Sequence, residues 1–248
     1  IDTIIHTAGY PNFPSKNNNS KSNLYKVNVL GSLHLAEQAA KCGVKRFIYI
    51  STIKVHGENT KFGMCFNNNS KYDPQDEYAL SKVQAEIGLE NIRRKTTLDI
   101  VIIRLPLVYG KGVKSNLLKL IKYVEKGLPL PFKSLSKNKI SLISLENLSN
   151  LIFKCITYKT FLNINLVVSD SQTVSTKSLI EEIAFSLNKK TKLFYFPRFL
   201  LIIFGYIFSK QKMINQILHN LEIDNTYAEA KLNWKPDVKL RDGLKGII

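Results

Sequence analysis

Tyr78 and Lys82, in Tyr78-Ala79-Leu80-Ser81-Lys82, stand four residues apart, a spacing that puts a phenol and an ammonium on one helix face within reach of a common ligand. A phenol at its ordinary pKa of ~10 is a poor base, and a neighbouring ammonium favours the phenolate and brings proton abstraction toward neutral pH. The pair alone says little. With 11 tyrosines and 36 lysines and arginines in the chain, about one such pair is expected by chance, and an exposed pair would be an ordinary surface feature.

Context gives the pair meaning. Ser51-Thr52 closes the buried-strand run Phe47 to Ile50 one loop before the helix, and a second such run, Asp99 to Leu105, follows it and leads through Pro106-Leu107-Val108-Tyr109 to Gly110. Ligands collect at the C-terminal ends of strands in an open parallel sheet, so the Thr52 hydroxyl and the helix face bearing Tyr78 can converge on one substrate.

The elements that must position these groups alternate along the chain. Strand-length apolar runs at Ile1 to Ala8, Phe47 to Ile50, Asp99 to Leu105, Ile140 to Leu145 and Leu162 to Val168 are separated by helical patterns. These patterns cover Leu30 to Lys41, Glu77 to Arg94, Leu117 to Lys126 and Asn147 to Ile156, with late helices from Thr176 to Asn188 and Pro197 to Leu218. Such alternation is the signature of βαβ units, and it predicts an α/β fold with a doubly wound parallel sheet. Gly43 supplies a left-handed stop for the first helix, and the asparagine triplets 17–19 and 67–69 read as loops.

Composition narrows the function classes. The formal net charge of +17 invites a nucleic-acid reading, but the excess is scattered lysine with no basic block interleaved with aromatics, so solvated faces are favoured over a nucleic-acid footprint. Cys42, Cys65 and Cys155 have neither CxxC spacing nor histidines at ligand spacing, which argues for a reducing compartment, a cytoplasmic setting and no metal. The chain opens on a buried-strand run rather than a secretory signal. Its longest apolar run, Phe199 to Phe208, is about half of the ~20 residues that span a bilayer. A helix covering a hydrophobic surface is favoured there over a monotopic membrane anchor. His6 is expected to be a strand-end histidine satisfied by backbone, and Lys54 reads equally as a surface lysine or a substrate contact.

The whole motif set resembles the extended short-chain dehydrogenase/reductases, and within them the NAD-dependent epimerases and dehydratases of nucleotide sugars. Thr7-Ala8-Gly9 resembles that family's strand end beside the cofactor, and Asn28-x-x-Gly31 its Asn-x-x-Gly-Thr. Ser51-Thr52-Ile53-Lys54-Val55-His56-Gly57 is similar to its Ser-Ser-x-x-Val-Tyr-Gly, and Arg104 to Gly110 to its Arg-Pro-x-x-Val-Tyr-Gly. Asp224 to Ala228, with Leu232-Asn233-Trp234-x-Pro236, resembles its C-terminal signature.

The resemblance implies a Rossmann-type domain from residues 1–112 with 140–170, and a small α/β substrate-binding domain from 113–139 with 171–248. It implies NAD, rather than NADP, held by Thr7, Ala8, Gly9, Asn28, Ser51, Tyr78, Lys82 and Pro106. A UDP-sugar would meet Thr52, Asn116, Leu117, Lys139 and Asp224. Thr52, Tyr78 and Lys82 would be catalytic, with Tyr78 taking the hydroxyl proton, Thr52 bonding the same oxygen, and Lys82 holding the ribose and tuning Tyr78. The implied activity is 4-epimerisation of a UDP-hexose or UDP-N-acetylhexosamine through a 4-keto intermediate, in surface polysaccharide synthesis. The alternatives are reduction of a UDP-4-keto sugar on the same scaffold, or an inactive remnant of a split gene. Dimerisation through the Tyr78-bearing helix is implied as well.

This sequence departs from the pattern in places. None of its 12 glycines forms the Gly-x-x-Gly-x-x-Gly turn that lets a pyrophosphate approach a helix N-terminus. The chain opens at what resembles the family's fourth strand, so roughly sixty residues carrying most of the adenosine site are expected to lie elsewhere, on a separate N-terminal piece if not upstream. Ile140 replaces a diphosphate-pairing arginine, with Lys139 adjacent. Leu107 stands where many epimerases have asparagine, and His56 takes the tyrosine position.

Overall fold

Aliphatic and aromatic residues occupy both phases of the central strands, so those strands can be stable only with both faces covered. The computed structural model describes residues 1–10, 19–112, 116–209, 211–245 and 247. Along the chain run β1 (Thr3–His6), α1 (Asn19–Leu24), a π-helical segment Tyr25–Gly31, α2 (Ser32–Lys41), β2 (Arg46–Thr52), a 3-10 turn Ile53–His56 and α3 (Glu77–Lys95). Then come β3 (Asp99–Leu105), β4 (Leu107–Tyr109), α4 (Asn116–Glu125), β5 (Leu142–Ser144), α5 (Leu145–Thr157) and β6 (Ile164–Val167). The chain continues through α6 (Thr176–Ser186), α7 (Arg198–Ile207), α8 (Gln211–Leu218), α9 (Thr226–Leu232) and α10 (Leu240–Lys245).

A four-stranded sheet, in the order β1-β2-β3-β6, is parallel throughout. Side chains alternate across it as the pleat requires. Phe47, Tyr49, Ile100 and Ile102 face one way and pack with Ala36, Ala39, Ala85 and Leu89 of α2 and α3. Ile48, Val101, Ile103 and Leu105 face the other way, toward Leu148 and Leu151 of α5, Ala228 and Leu232 of α9, and Trp234.

At the N-terminal ends of the middle strands, Arg46 and Asp99 pair in register and form a buried ion pair, Nε to Oδ2 2.6 Å. The guanidinium also donates to the carbonyls of Cys155, Tyr158 and Thr160, and the carboxylate accepts from the amides of Leu162 and Asn163. A charge pair this buried persists only when its remaining hydrogen-bonding capacity is filled in this way.

The elements differ from expectation at three places. The first helix begins at Asn19 rather than Leu30, and its π-helical segment turns Asn28 and Val29 inward. Pro106 has no N–H for the ladder, so the strand expected to run toward Gly110 stops at Leu105 and resumes as β4, which pairs in parallel with β5 in a separate two-stranded ribbon. The stretch 197–218, read as one helix, is two, because Ser209 adopts a left-handed φ of 52° after α7.

A second core joins Leu117, Ile121 and Val124 of α4 with Leu179, Ile180 and Ile183 of α6 and Leu240 and Leu244 of α10. The β4-β5 ribbon is its shared wall: Tyr109 and Leu142 pack into this second core, while Ile143 packs into the sheet's core. Gly243 lets α10 lie against that wall, since a Cβ there would stand 2.8 Å from Tyr109 Cε2 and 3.2 Å from Ser144 Cβ. Helices α7 and α8 close a smaller apolar cluster with Leu135. In α7, however, only Leu201 and Gly205 are buried, so the helix expected to cover a hydrophobic surface leaves most of its own apolar surface outward. Among the described residues, no helix is long and apolar enough to cross a membrane.

Candidate active site

The site lies at the C-terminal ends of β1, β2 and β3, and α3 carries its central residues. Asp76 caps that helix by accepting from the Ala79 amide at 2.8 Å, and Glu77 in the first turn complements the helix dipole. Tyr78, Lys82 and Glu86 continue one stripe at four-residue steps, and the stripe faces the strand ends.

Lys82 is 4% exposed and donates to the Ile50 carbonyl at 2.8 Å and the Tyr49 hydroxyl at 3.1 Å. Burial pulls its ammonium down to about 8, opposed by the charge of Glu86. Buried Asn28 donates to the Tyr10 carbonyl and to Ser81 Oγ, and accepts from the Tyr10 amide. This fixes the loop after β1 against α3. Thr7, Ala8 and Gly9 are exposed in that loop. A Cβ on Gly9 would stand 3.3 Å from Asn28 Oδ1 and 3.8 Å from Lys82 Nζ, so a side chain there would crowd the Asn28 carboxamide.

Thr52 closes β2. Its Oγ1 accepts from the Lys54 amide at 3.3 Å, capping the 3-10 turn, which leaves the hydroxyl proton available to a ligand. Lys54 is ion-paired to Glu58 at 2.8 Å and Asp76 at 3.3 Å. Burial raises the Tyr78 phenol above its ordinary value, and the Lys54 charge is the influence that lowers it. The Lys82 ammonium bonds Tyr49 and Ile50, and the Lys54 charge favours the Tyr78 phenolate.

Beneath these groups lies a closed polar network. Arg104, 3% exposed, donates to Glu86 at 3.0 and 2.7 Å, to the Tyr72 hydroxyl at 3.0 Å and to His56 Nε2 at 3.1 Å. Glu86, fully buried, also accepts from Ser51 Oγ at 2.5 Å and from the Tyr72 hydroxyl at 2.8 Å. His56 Nδ1 contacts the Lys71 carbonyl at 2.9 Å. With Nε2 accepting from Arg104, the network assigns the neutral Nδ1–H tautomer, in line with burial lowering the His56 pKa. Ser51 is thus committed to Glu86, and Pro106 is buried at the end of β3. Glu86 was legible as the next four-residue step after Lys82; the parts played by Tyr72 and Tyr49 left no signal in sequence spacing.

The residues expected at the sugar-nucleotide end lie at the start of α4 and on the paired segments around Lys139 and Asp224. Asn116 opens α4, and its side chain lies outside the described residues. The Leu117 side chain is in the second core, which leaves its backbone as the part a ligand would meet. Lys139 is half-exposed and pairs with Glu222 at 3.0 Å. Ile140 is bridged to Val174 and Leu221 and packs on the second core. Asp224 accepts from the Thr226 amide and hydroxyl at the start of α9. His6, expected to be satisfied by backbone, instead bonds the Ser32 hydroxyl at 2.8 Å and stacks on Tyr49. No group of three or more His, Cys, Asp or Glu positioned for a metal occurs among the described residues.

A parallel sheet wrapped by helices, with a Tyr-x-x-x-Lys helix facing a strand-end hydroxyl, defines the short-chain dehydrogenase/reductase class in its extended form. Within it, the chain belongs to the NAD dependent epimerase/dehydratase family, whose model matches residues 1–160. It is 38% identical over 243 residues to UDP-glucose 4-epimerase of Vibrio cholerae, covering 98% of this chain and 74% of that protein. It is 25% identical to dTDP-4-dehydro-6-deoxyglucose reductase of Escherichia coli, over 100% of this chain and 74% of that one. The fold matches the crystal structure of UDP-glucuronic acid 4-epimerase from Bacillus cereus in complex with NAD, with a TM-score of 0.79 at 18% identity, covering 100% of this chain and 73% of that chain.

Proposed function

We propose that the chain performs NAD-dependent 4-epimerisation of a UDP-hexose or UDP-N-acetylhexosamine. The observation that carries this is the placement of Tyr78 and Lys82 on α3 beside the strand end bearing Thr52, in a chain 38% identical to a UDP-glucose 4-epimerase. The residues present fit the nicotinamide-ribose half of NAD. Gly9 lies close against Asn28 and Lys82 where a Cβ would crowd the carboxamide, Lys82 has one ammonium proton beyond its two bonds, and Asn28 fixes the loop after β1. The chain contributes no glycine turn to the pyrophosphate.

When bound, NAD supplies the acceptor and donor of hydride at a sugar carbon. The protein's part is proton transfer and orientation. Tyr78 takes the proton from the sugar hydroxyl as that carbon is oxidised and returns it on reduction. Thr52 donates a hydrogen bond to the same oxygen, where negative charge develops. Lys82 would hold the ribose of that cofactor. With that cofactor bound, inversion at the carbon would require the 4-keto sugar to present its other face before it is reduced. The similarity to the dTDP-4-dehydro-6-deoxyglucose reductase supports a second reading, in which an external keto sugar is reduced by the same residues.

The test is conversion of UDP-glucose or UDP-N-acetylglucosamine by the wild-type chain and by Tyr78→Phe. A loss of roughly 100-fold or more in turnover, with unchanged thermal stability, is expected for removal of a general base. Unchanged turnover in the variant would rule Tyr78 out.

A further inference from the structure

We infer that α7 is an interfacial helix that seats this protein on an anionic phospholipid surface. The helix has ten residues, about 15 Å in length, so it can lie along a bilayer but not cross one. Leu201 and Gly205 face inward, and a Cβ on Gly205 would meet Ile214 of α8 at 3.2 Å, so the two helices pack closely. The outward stripe recurs at helical spacing through Phe199, Ile203, Tyr206 and Ile207, which are 61%, 49%, 67% and 68% exposed. An apolar face of this density on the surface of a protein marks something that covers it.

The surrounding charge identifies what covers it. From Ile183 to Leu221 the chain has six lysines and arginines and no aspartate or glutamate. From Lys126 to Leu145 it has four lysines and again no acid. These two stretches lie side by side: the Leu130 amide donates to the Lys192 carbonyl at 2.9 Å and the Lys133 amide to the Phe194 carbonyl at 3.2 Å. Exposed Lys133, Lys189, Lys190 and Lys192 thus lie on these two paired stretches, the second of which leads directly into α7 through the exposed aromatic rings of Phe194 and Tyr195. Arg198, at the first turn, is held by the Leu218 carbonyl at 2.7 Å.

A second copy of this chain would bring the same cationic surface against itself, with no acid in either stretch to answer it. An anionic bilayer supplies both missing partners: acyl chains for the apolar stripe and headgroup charge for the lysines, with aromatic rings at the boundary.

The experiment is co-sedimentation of the full chain with phosphatidylcholine vesicles, with and without phosphatidylglycerol, at low and high salt. Wild type is expected to pellet with the anionic vesicles at low salt and less at high salt. Ile203→Glu with Ile207→Glu, both at exposed positions, is expected to bind roughly tenfold or more weakly at unchanged thermal stability. The pair Lys189→Glu and Lys192→Glu is expected to lose the preference for anionic vesicles. Wild type remaining in the supernatant at low salt, or both paired variants pelleting like wild type, would overturn the inference. So would a wild-type dimer that the Ile203 and Ile207 substitutions dissociate, which would make the face a subunit interface.

Discussion

Removing both members of the buried Arg104–Glu86 pair should cost much less than the sum of removing each alone. Arg104→Met leaves the Glu86 carboxylate fully buried with only the Ser51 and Tyr72 hydroxyls, while Glu86→Leu leaves a guanidinium facing neutral His56 and Tyr72. Breaking a buried pair by deleting one partner costs roughly 3–5 kcal/mol, because an uncompensated charge stays inside. For a chain of this length, that is a fall of roughly 6–20 °C in Tm. The double variant removes both charges and leaves mainly unfilled hydroxyl hydrogen bonds, each worth about 1 kcal/mol. Its cost should resemble that of one single variant, which makes the coupling at least about 2 kcal/mol. Urea and thermal unfolding of all four proteins, followed by circular dichroism, complete the cycle. Single variants each costing under about 1 kcal/mol, or costs that simply add, would refute the reasoning and reduce the pair to an ordinary surface-like contact.

Two further outcomes follow from the same physics. Burial depresses the Lys82 ammonium from 10.5 to about 8, so the folded state carries an unfavourable charge below pH 8, releases it between the two values, and bears no such cost above the upper one. Lys82→Met should therefore be more stable than wild type at pH 7, by about 1 kcal/mol after loss of two hydrogen bonds, and the gain should shrink above pH 8, vanish near about pH 9 and turn into a net cost toward 10.5. A pH-independent difference in Tm would contradict this. Gly243→Ala should destabilise by about 1–3 kcal/mol, because the Tyr109 ring it would strike is itself held by a 2.6 Å bond to Asp170. Unfolding midpoints in urea would reveal it, and a neutral result would mean α10 moves freely.

Much of the sheet was legible because a strand buried on both faces must be apolar in both phases, which Phe47 to Ile50 and Asp99 to Leu105 display. Helix α3 was legible from its pattern and the Tyr78–Lys82 spacing. What escaped was set by tertiary geometry. The π-helical turn that aims Asn28 has no local composition of its own, and the β4-β5 ribbon exists because Pro106 ends one ladder where residues 142–144 offer another. At the site, spacing could place Tyr78 and Lys82 on one face, but not show that the ammonium bonds the Tyr49 hydroxyl and the Ile50 carbonyl, or that Lys54 adds a second positive charge beside the phenol. Nor could the apolar run at 199–208 say which way it faces; only packing of Gly205 against α8 decides that.

The Arg46–Asp99 clasp acts as an indexing pin for the whole chemical end of the molecule. It locks the first residues of β2 and β3 opposite one another, and six further pairs follow in step to Thr52 and Leu105. A slip of one residue would turn every side chain of a strand to the wrong face, Thr52 among them. Because alignment is set at the far end, the site end need not hold itself in register. The Ser51–Glu86–Arg104 bonds then join two strands whose alignment is already set.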